Sequence, residues 1–432
     1  MVIERGDRGV SGGVASPVDP LLLDDLPLDT GLRPTLDRVA DRVAIVVQSA
    51  PLTSPVLVSG DWGSGKTTLL RGVCRKLADA AITNAGTPTI MFEAWQYESA
   101  NALLPALMRR VWDSTPEAFR VKKAAKALLW ELMRWAGSVA SRVAVPVFGM
   151  ALGLPTGLED ELDVAKAAKR AAKALGDLKP PADPVDELRD AFARLVQNAW
   201  PDRVPVVFID DLDRCNPGDA VALLDAVRSL ASFAERLRIR FVVALDRGVV
   251  TQAISAKFAN VRGYDGNRYL EKIFPIEFHV PSPSESEVKA IIEVMAASLE
   301  LGERQRTSYA LTDALSPAYF ANARLIKRCF NRHRLLRYFE FGESPTADED
   351  RLSLRWIAAT ERWPRLRTLQ QRRRPNFWAS VANNQLTEDP DLQALLAEPG
   401  FTQWLDVHGW PRVSDALDRY DEADARLRRY GL

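Results

Sequence analysis

The chain has 432 residues and a mass of 48.0 kDa, with 47% hydrophobic and 26% charged residues, enough to bury more than one average domain core. Lysine plus arginine and aspartate plus glutamate each number 57, which excludes attraction through bulk charge and leaves only local patches to bind a charged partner. Cys74, Cys215 and Cys329 are odd in number and far apart, without a CxxC pair or signal peptide, so a reduced, intracellular chain is expected.

His279, His333 and His408 are equally scattered, and their spacing supports neither a histidine metal site nor a Cys-His nucleophile. In chain order, "GDRGVSGGVASPVDP" is too rich in Gly, Ser and Pro to bury much apolar surface, and residues 1–17 read as a tail. "TLDRVADRVAIVVQ" then predicts a helix, and "PVLVSG" predicts a buried strand. Further short apolar runs follow at "TIMF" (89–92), "VPVVFI" (204–209), "IRFVVAL" (239–245) and "FPIEFHV" (274–280), mostly separated by helical patterns. Strands alternating with helices predict an α/β fold with a parallel sheet covered on both faces.

An insertion at residues 115–183 separates the second and third strands. It begins with a basic amphipathic helix in which Leu128, Leu132, Trp135, Val139 and Val143 recur at helical spacing beside Lys122, Lys123, Lys126, Arg134 and Arg142. An uncharged run, 143–158, comes next and is broken by Pro146. At 16 residues it is shorter than the ~20 needed to span a bilayer core. A second helix, carrying Lys166, Lys169, Arg170 and Lys173, ends at Pro180 and Pro181. Spanning is not expected. Docking onto a protein is the preferred reading, with Trp130 and Trp135 as anchors, and resting on an anionic membrane surface stays open. After residue 283 helical patterns run to the end, with basic side chains at Arg324, Lys327, Arg328 and Arg332 and again from Arg351 to Arg374.

The chemistry is concentrated in two stretches. "SGDWGSGKTTLL" (59–70) places Gly60, Gly65, Lys66 and Thr67 in the pattern GxxxxGK[ST], with a strand before and a helix after. Such glycines let backbone N–H groups converge on phosphate oxygens, and the helix N-terminus adds its positive end. Nucleotide contacts are therefore assigned to Gly60, Gly63, Ser64, Gly65, Lys66, Thr67 and Thr68. Lys66 is expected to reach the β and γ phosphates, and Thr67 to ligate Mg²⁺. "VVFIDDLDRC" delivers Asp210 to the end of an apolar strand, where it is expected to hold the same Mg²⁺. Asp211 beside it is the candidate to orient or deprotonate the attacking water, so Lys66, Asp210 and Asp211 form the catalytic set. Trp62 is bulky for so tight a loop, and it is expected to lean away from the phosphates as a packing wedge.

"GDWGSGKTTLL", "FEAWQYE", "VVFIDDLDRC", "FVVALDRGVV" and "YLEKIFPIEFHVP" together resemble the KAP family of P-loop NTPases over residues 20–335. Trp62 and the Trp95–Tyr97 pair match family traits, whereas Glu93 stands where that pattern has asparagine. The resemblance implies the additional-strand ATPase core shared with AAA+ and STAND proteins: a Walker A and Walker B site, five parallel strands, a helical lid and ATP as ligand. It further implies that Asp246 and Arg247 sense the γ-phosphate and that Arg324 closes over nucleotide from the lid. The insertion occupies the place where many family members carry transmembrane helices.

The expected organisation is a tail at 1–17, core at 18–114, helical insertion at 115–183, and core again at 184–283. A lid at 284–340 and a C-terminal α-helical domain at 341–432 complete it. The resemblance implies a cytoplasmic ATPase, possible also at the inner membrane face, that works as a homo-oligomeric switch or assembly platform in antiphage defence with a separate effector. A scaffold with little turnover and a nucleic-acid motor remain open as alternatives, the latter because of Arg351, Arg355, Arg362, Arg365, Arg367 and the Arg372–Arg374 cluster.

Overall fold

The computed structural model describes residues 22, 33–79, 86–97, 103–129, 184–258, 265–297, 311–312, 322–340, 346–372, 389–398, 400–407 and 414–432. These fall into two compact units, the first within Pro27–Pro281 and the second within Met1–Leu26 and Ser282–Leu432. The first unit is built on β1 (Val56–Ser59), β2 (Thr89–Glu93), β3 (Val206–Asp210), β4 (Arg240–Leu245) and β5 (Ile276–His279). All the pairings are parallel, in the order β2-β3-β4-β1-β5. Each expected apolar run has become a strand.

Burial explains why those runs were readable. Every residue of β1 and β3 is buried, so neither strand needs a polar face. Period-two alternation then divides their side chains between the two sheet faces. Val56, Val58, Val206, Phe208, Val242 and Ala244 meet the helices Pro34–Ser49 and Lys66–Ala78 on one face. Leu57, Val207, Ile209, Phe241, Val243 and Leu245 pack on the other with the helices Leu103–Asp113, Pro184–Ala199 and Pro217–Ala231. Strand register aligns Ser59 with Leu245 and Glu93 with Asp210, so the polar residues that end the apolar runs gather along the carboxyl edge of the sheet.

The insertion is described only at its start, where Glu117–Arg120 and residues 123–129 are helical. Leu128 and Leu129 pack against the core of this unit, while Lys122, Lys123 and Lys126 are exposed. Trp130, Trp135, the uncharged run and the second basic helix lie outside the described residues. Among the described residues no helix is long and apolar enough to cross a membrane.

The second unit is helical, and its described residues contain no strand. Four of its helices begin at side-chain caps: Ser284 and Thr346 each form a capping box, and Asn322 and Asp389 accept from the first-turn amides. Trp356, Trp363, Phe330, Phe401 and Trp404 are among its largest fully buried described side chains, with Trp363 and Phe401 meeting edge to face at 5.0 Å. We expect Trp363→Ala to destabilise this unit by about 3–5 kcal/mol, the usual cost of an unfilled aromatic site, measurable by denaturant unfolding. Basic side chains here are largely compensated. Arg328 and Arg332 pair with Glu361, Arg351 with Asp348 and Arg372 with Asp391, Arg362 lies over the Trp363 ring, and Arg367 donates to the Leu432 carbonyl. Arg373 and Arg374 lie outside the described residues.

Candidate active site

Between β1 and the helix Lys66–Ala78 the chain turns within six residues, and the glycines make this possible. Gly63 and Gly65 have φ of +79° and +106°, in the left-handed region where other side chains are strained. Gly60 serves differently: a Cβ there would lie 2.7 Å from Ser64 Oγ and 3.1 Å from Val280 Cβ. Ser64 N–H donates to the Asp61 carbonyl at 3.1 Å and closes the inner turn. The first helical bond runs from Leu69 N–H to the Gly65 carbonyl at 2.9 Å, so the amides of Lys66, Thr67 and Thr68 precede the helical ladder. Ser64 Oγ is buried and has no hydrogen-bond partner among the described residues.

Lys66 folds back over the loop. Its Nζ donates to the carbonyls of Gly60 at 2.8 Å and Asp61 at 3.3 Å, and lies 3.5 Å from Asp213 Oδ2. Asp210, 1% exposed at the end of β3, accepts from the Asp211 amide through Oδ1 at 2.9 Å. Burial raises its carboxyl above the usual range, opposed by the Thr67 hydroxyl, the Asp211 amide and the Lys66 charge. Its Oδ2 is buried with no hydrogen-bond partner among the described residues. An unsatisfied carboxylate oxygen beside a threonine hydroxyl suits a hard cation that completes its shell with water and phosphate oxygens. Among the described residues no group of three or more His, Cys, Asp or Glu could hold a metal ion unaided.

Asp211 has φ +55°, a strained conformation for a residue with a side chain. Its carboxylate meets Arg214 Nε at 2.9 Å, and its pKa is raised to about 6, first by burial and then by Asp210, with Arg214 opposing. Arg214 in turn sits 5.7 Å from the centre of the Trp95 ring.

Asp213, on the short turn Leu212–Arg214, is absent from the residues assigned by motif. It is 7% exposed, neighbours Lys66, and accepts a hydrogen bond from the indole N–H of Trp62. Its Oδ1 is buried and has no hydrogen-bond partner among the described residues. The available signal was the third acid in "DDLD", close in sequence to the strand end. Trp62 differs from expectation: it is 52% exposed and held by its polar edge to Asp213, so it is not simply a packing wedge.

The other assigned residues are placed less directly. Thr68 is buried in the first helical turn, leaving its backbone amide as the group at the helix N-terminus. Asp246 caps the helix Arg247–Lys257 by accepting from Val249 N–H at 3.2 Å. Arg247 is engaged with Glu277, Asn267 and Glu271, so both members of the expected sensor pair have structural partners. Arg324 belongs to the other unit, in the first turn of the helix Ala323–Phe339, whose amides Asn322 caps.

A parallel sheet with a phosphate loop after β1, an acid at the end of β3, and β4 between those two strands defines a P-loop NTPase. The KAP family P-loop domain matches residues 37–339, and the chain belongs to the KAP family. It is 24% identical over 277 residues to the Phage T7 exclusion protein of Escherichia coli strain K12, a match covering 60% of this chain and 34% of that protein. The chain thus spans about a third of that relative. Among solved structures it is similar to the Aeropyrum pernix ORC2 protein, at 14% identity and a TM-score of 0.40, covering 96% of this chain and 89% of that one. It is also similar to Cdc6p from Pyrobaculum aerophilum, at 12% identity and a TM-score of 0.38, covering 93% and 90%.

Proposed function

We propose that the chain binds ATP with Mg²⁺ in the loop Gly60–Thr68 and hydrolyses it, and that the bound nucleotide sets its assembly or its hold on a separate effector. The observation that carries this reading is the unsatisfied, buried Asp210 Oδ2, beside Thr67 and within the field of Lys66. Thr67 and Asp210 would hold Mg²⁺, which when bound neutralises phosphate charge and fixes its geometry. Lys66 supplies a mobile cation: leaving the Gly60 and Asp61 carbonyls, it can follow charge on the terminal phosphate. The amides of the loop and of the first helical turn bind and orient phosphate oxygens. Asp211, ionised above about pH 6 and steadied by Arg214, orients water and accepts its proton. Phosphate release by the purified chain, dependent on both Mg²⁺ and ATP, tests the reading. Nucleotide binding without release would favour the slow scaffold instead.

Similarity to the phage exclusion protein supports a role in antiphage defence, with the destructive step left to an effector. Loss of protection by an Asp211→Asn chain expressed with its neighbouring genes would tie the chemistry to that role.

The link between Trp62 and Asp213 makes a separate prediction. Trp62→Phe keeps the ring but removes the N–H, leaving Asp213 to hold Lys66 more tightly against incoming phosphate. We expect ATP affinity to fall several-fold while the melting temperature moves by less than about 2 °C, in keeping with a half-exposed surface ring. A large drop in melting temperature with unchanged affinity would instead restore the packing role.

A further inference from the structure

Both ends of the phosphate loop are tied to the same three residues leaving β5. Ser59, the last residue of β1, shares a 2.6 Å hydrogen bond between its Oγ and His279 Nδ1, and its carbonyl accepts from Val280 N–H at 2.8 Å. Gly60 then approaches Val280 so closely that a Cβ would lie 3.1 Å from Val280 Cβ. At the other end Arg33, 3% exposed, donates from Nη1 to the Ser64 carbonyl at 2.6 Å and from Nη2 to the Pro281 carbonyl at 2.6 Å. Pro281 ends the first unit. Ser282 follows it, and two residues later Ser284 caps the helix Glu285–Ala296.

Peptide geometry gives these contacts a direction. A trans peptide is planar, so the Ser64 carbonyl and the Gly65 N–H point to opposite sides of one rigid group. Arg33 grips that group by its oxygen, and thereby sets where the Gly65 amide points. Gly65 itself leaves the space, since a Cβ there would lie 2.8 Å from Arg33 Nη1. A phosphate that draws on the Gly65 amide turns the peptide and pulls the carbonyl, the guanidinium and the Pro281 carbonyl with it. A planar fork with two separate donor nitrogens can bridge two carbonyls in a way that a lysine point charge cannot.

We propose that Arg33 is a positioning residue that couples occupancy of the phosphate loop, through the strap His279–Pro281, to residues 282–297. The inference rests on nucleotide binding as proposed above, and the test separates the two. Calorimetry with Mg–ATP first measures binding, and amide hydrogen exchange of residues 282–297 is then compared with and without saturating Mg–ATP in the full chain. The wild type is expected to bind and to change its exchange in this segment. Arg33→Met should still bind, roughly tenfold more weakly, yet lose most of the change at equal saturation, with Arg33→Lys retaining no more than half of it. Lost stability alone would not abolish a nucleotide-dependent difference in a chain that still binds. Should Arg33→Met fail to fold, His279→Ala decides, because that ring is 74% exposed and its removal leaves the core intact. It is expected to reduce the change at least twofold. A wild type that does not bind defeats the nucleotide reading and this inference with it. A wild type that binds with no change in 282–297, or an Arg33→Met or His279→Ala chain that binds with the full change, overturns the coupling alone.

Discussion

Asp211→Asn is expected to bind ATP about as well as the wild type and to hydrolyse it roughly 10²–10⁴-fold more slowly, the usual contribution of a positioned base. Asparagine keeps the size of the side chain but cannot take a proton from water. The strained backbone at φ +55° belongs to the loop rather than to the carboxylate, so asparagine, which tolerates this region, should preserve it. The pH dependence gives a second check. A base whose pKa is raised to about 6 is ionised above that value, so wild-type turnover should be flat above pH 6 and fall about tenfold per unit below it. Asp211→Asn should lack this limb. The sign for stability is opposite: a carboxyl raised from 3.8 to about 6 in the fold binds its proton more tightly folded than unfolded. Its contribution to stability therefore grows as pH falls from about 6 towards 3.8. The uncharged asparagine is accordingly expected to melt no lower than the wild type at neutral pH. Undiminished turnover in Asp211→Asn would move the role of base to another residue.

Lys66→Ala should have the largest effect on affinity. The ammonium is buried among the Gly60 and Asp61 carbonyls and the Asp213 carboxylate, with Asp210 close enough to feel its charge. Its removal leaves Asp210 and Asp213 in a buried site without their cation, and triphosphate would then add further negative charge. Truncating one partner of a buried charge pair costs on the order of 2–5 kcal/mol, or roughly 30-fold or more in dissociation constant. Titration calorimetry with Mg–ATP reads this directly. An affinity within about threefold of the wild type would mean that Lys66 stays on the loop carbonyls when nucleotide binds.

The parts legible in the sequence and the parts that were not differ in range. β1, β3 and β4 stood out because central parallel strands are buried on both faces and need no polar alternation. The phosphate loop stood out because its glycines, lysine and threonine act within a few neighbouring residues. Asp213 and Arg33 were missed because their roles depend on partners far along the chain: Trp62 lies 151 residues before Asp213, and Pro281 lies 248 residues after Arg33. No local pattern announces such a contact. For the basic C-terminal residues, too, spacing does not reveal the acidic partners. The apparent cationic run through Arg351 and Arg372 is set against Asp348 and Asp391, which a count of arginines does not register.

The central claim is that Gly60–Thr68, Asp210 and Asp211 form one hydrolytic site, and release of phosphate from ATP by the purified full chain, with and without Mg²⁺, tests it most directly. Multiple turnover that requires Mg²⁺, disappears in Lys66→Ala and falls at least a hundredfold in Asp211→Asn is the predicted result. Turnover that survives either Mg²⁺ removal or loss of the Lys66 side chain would contradict it.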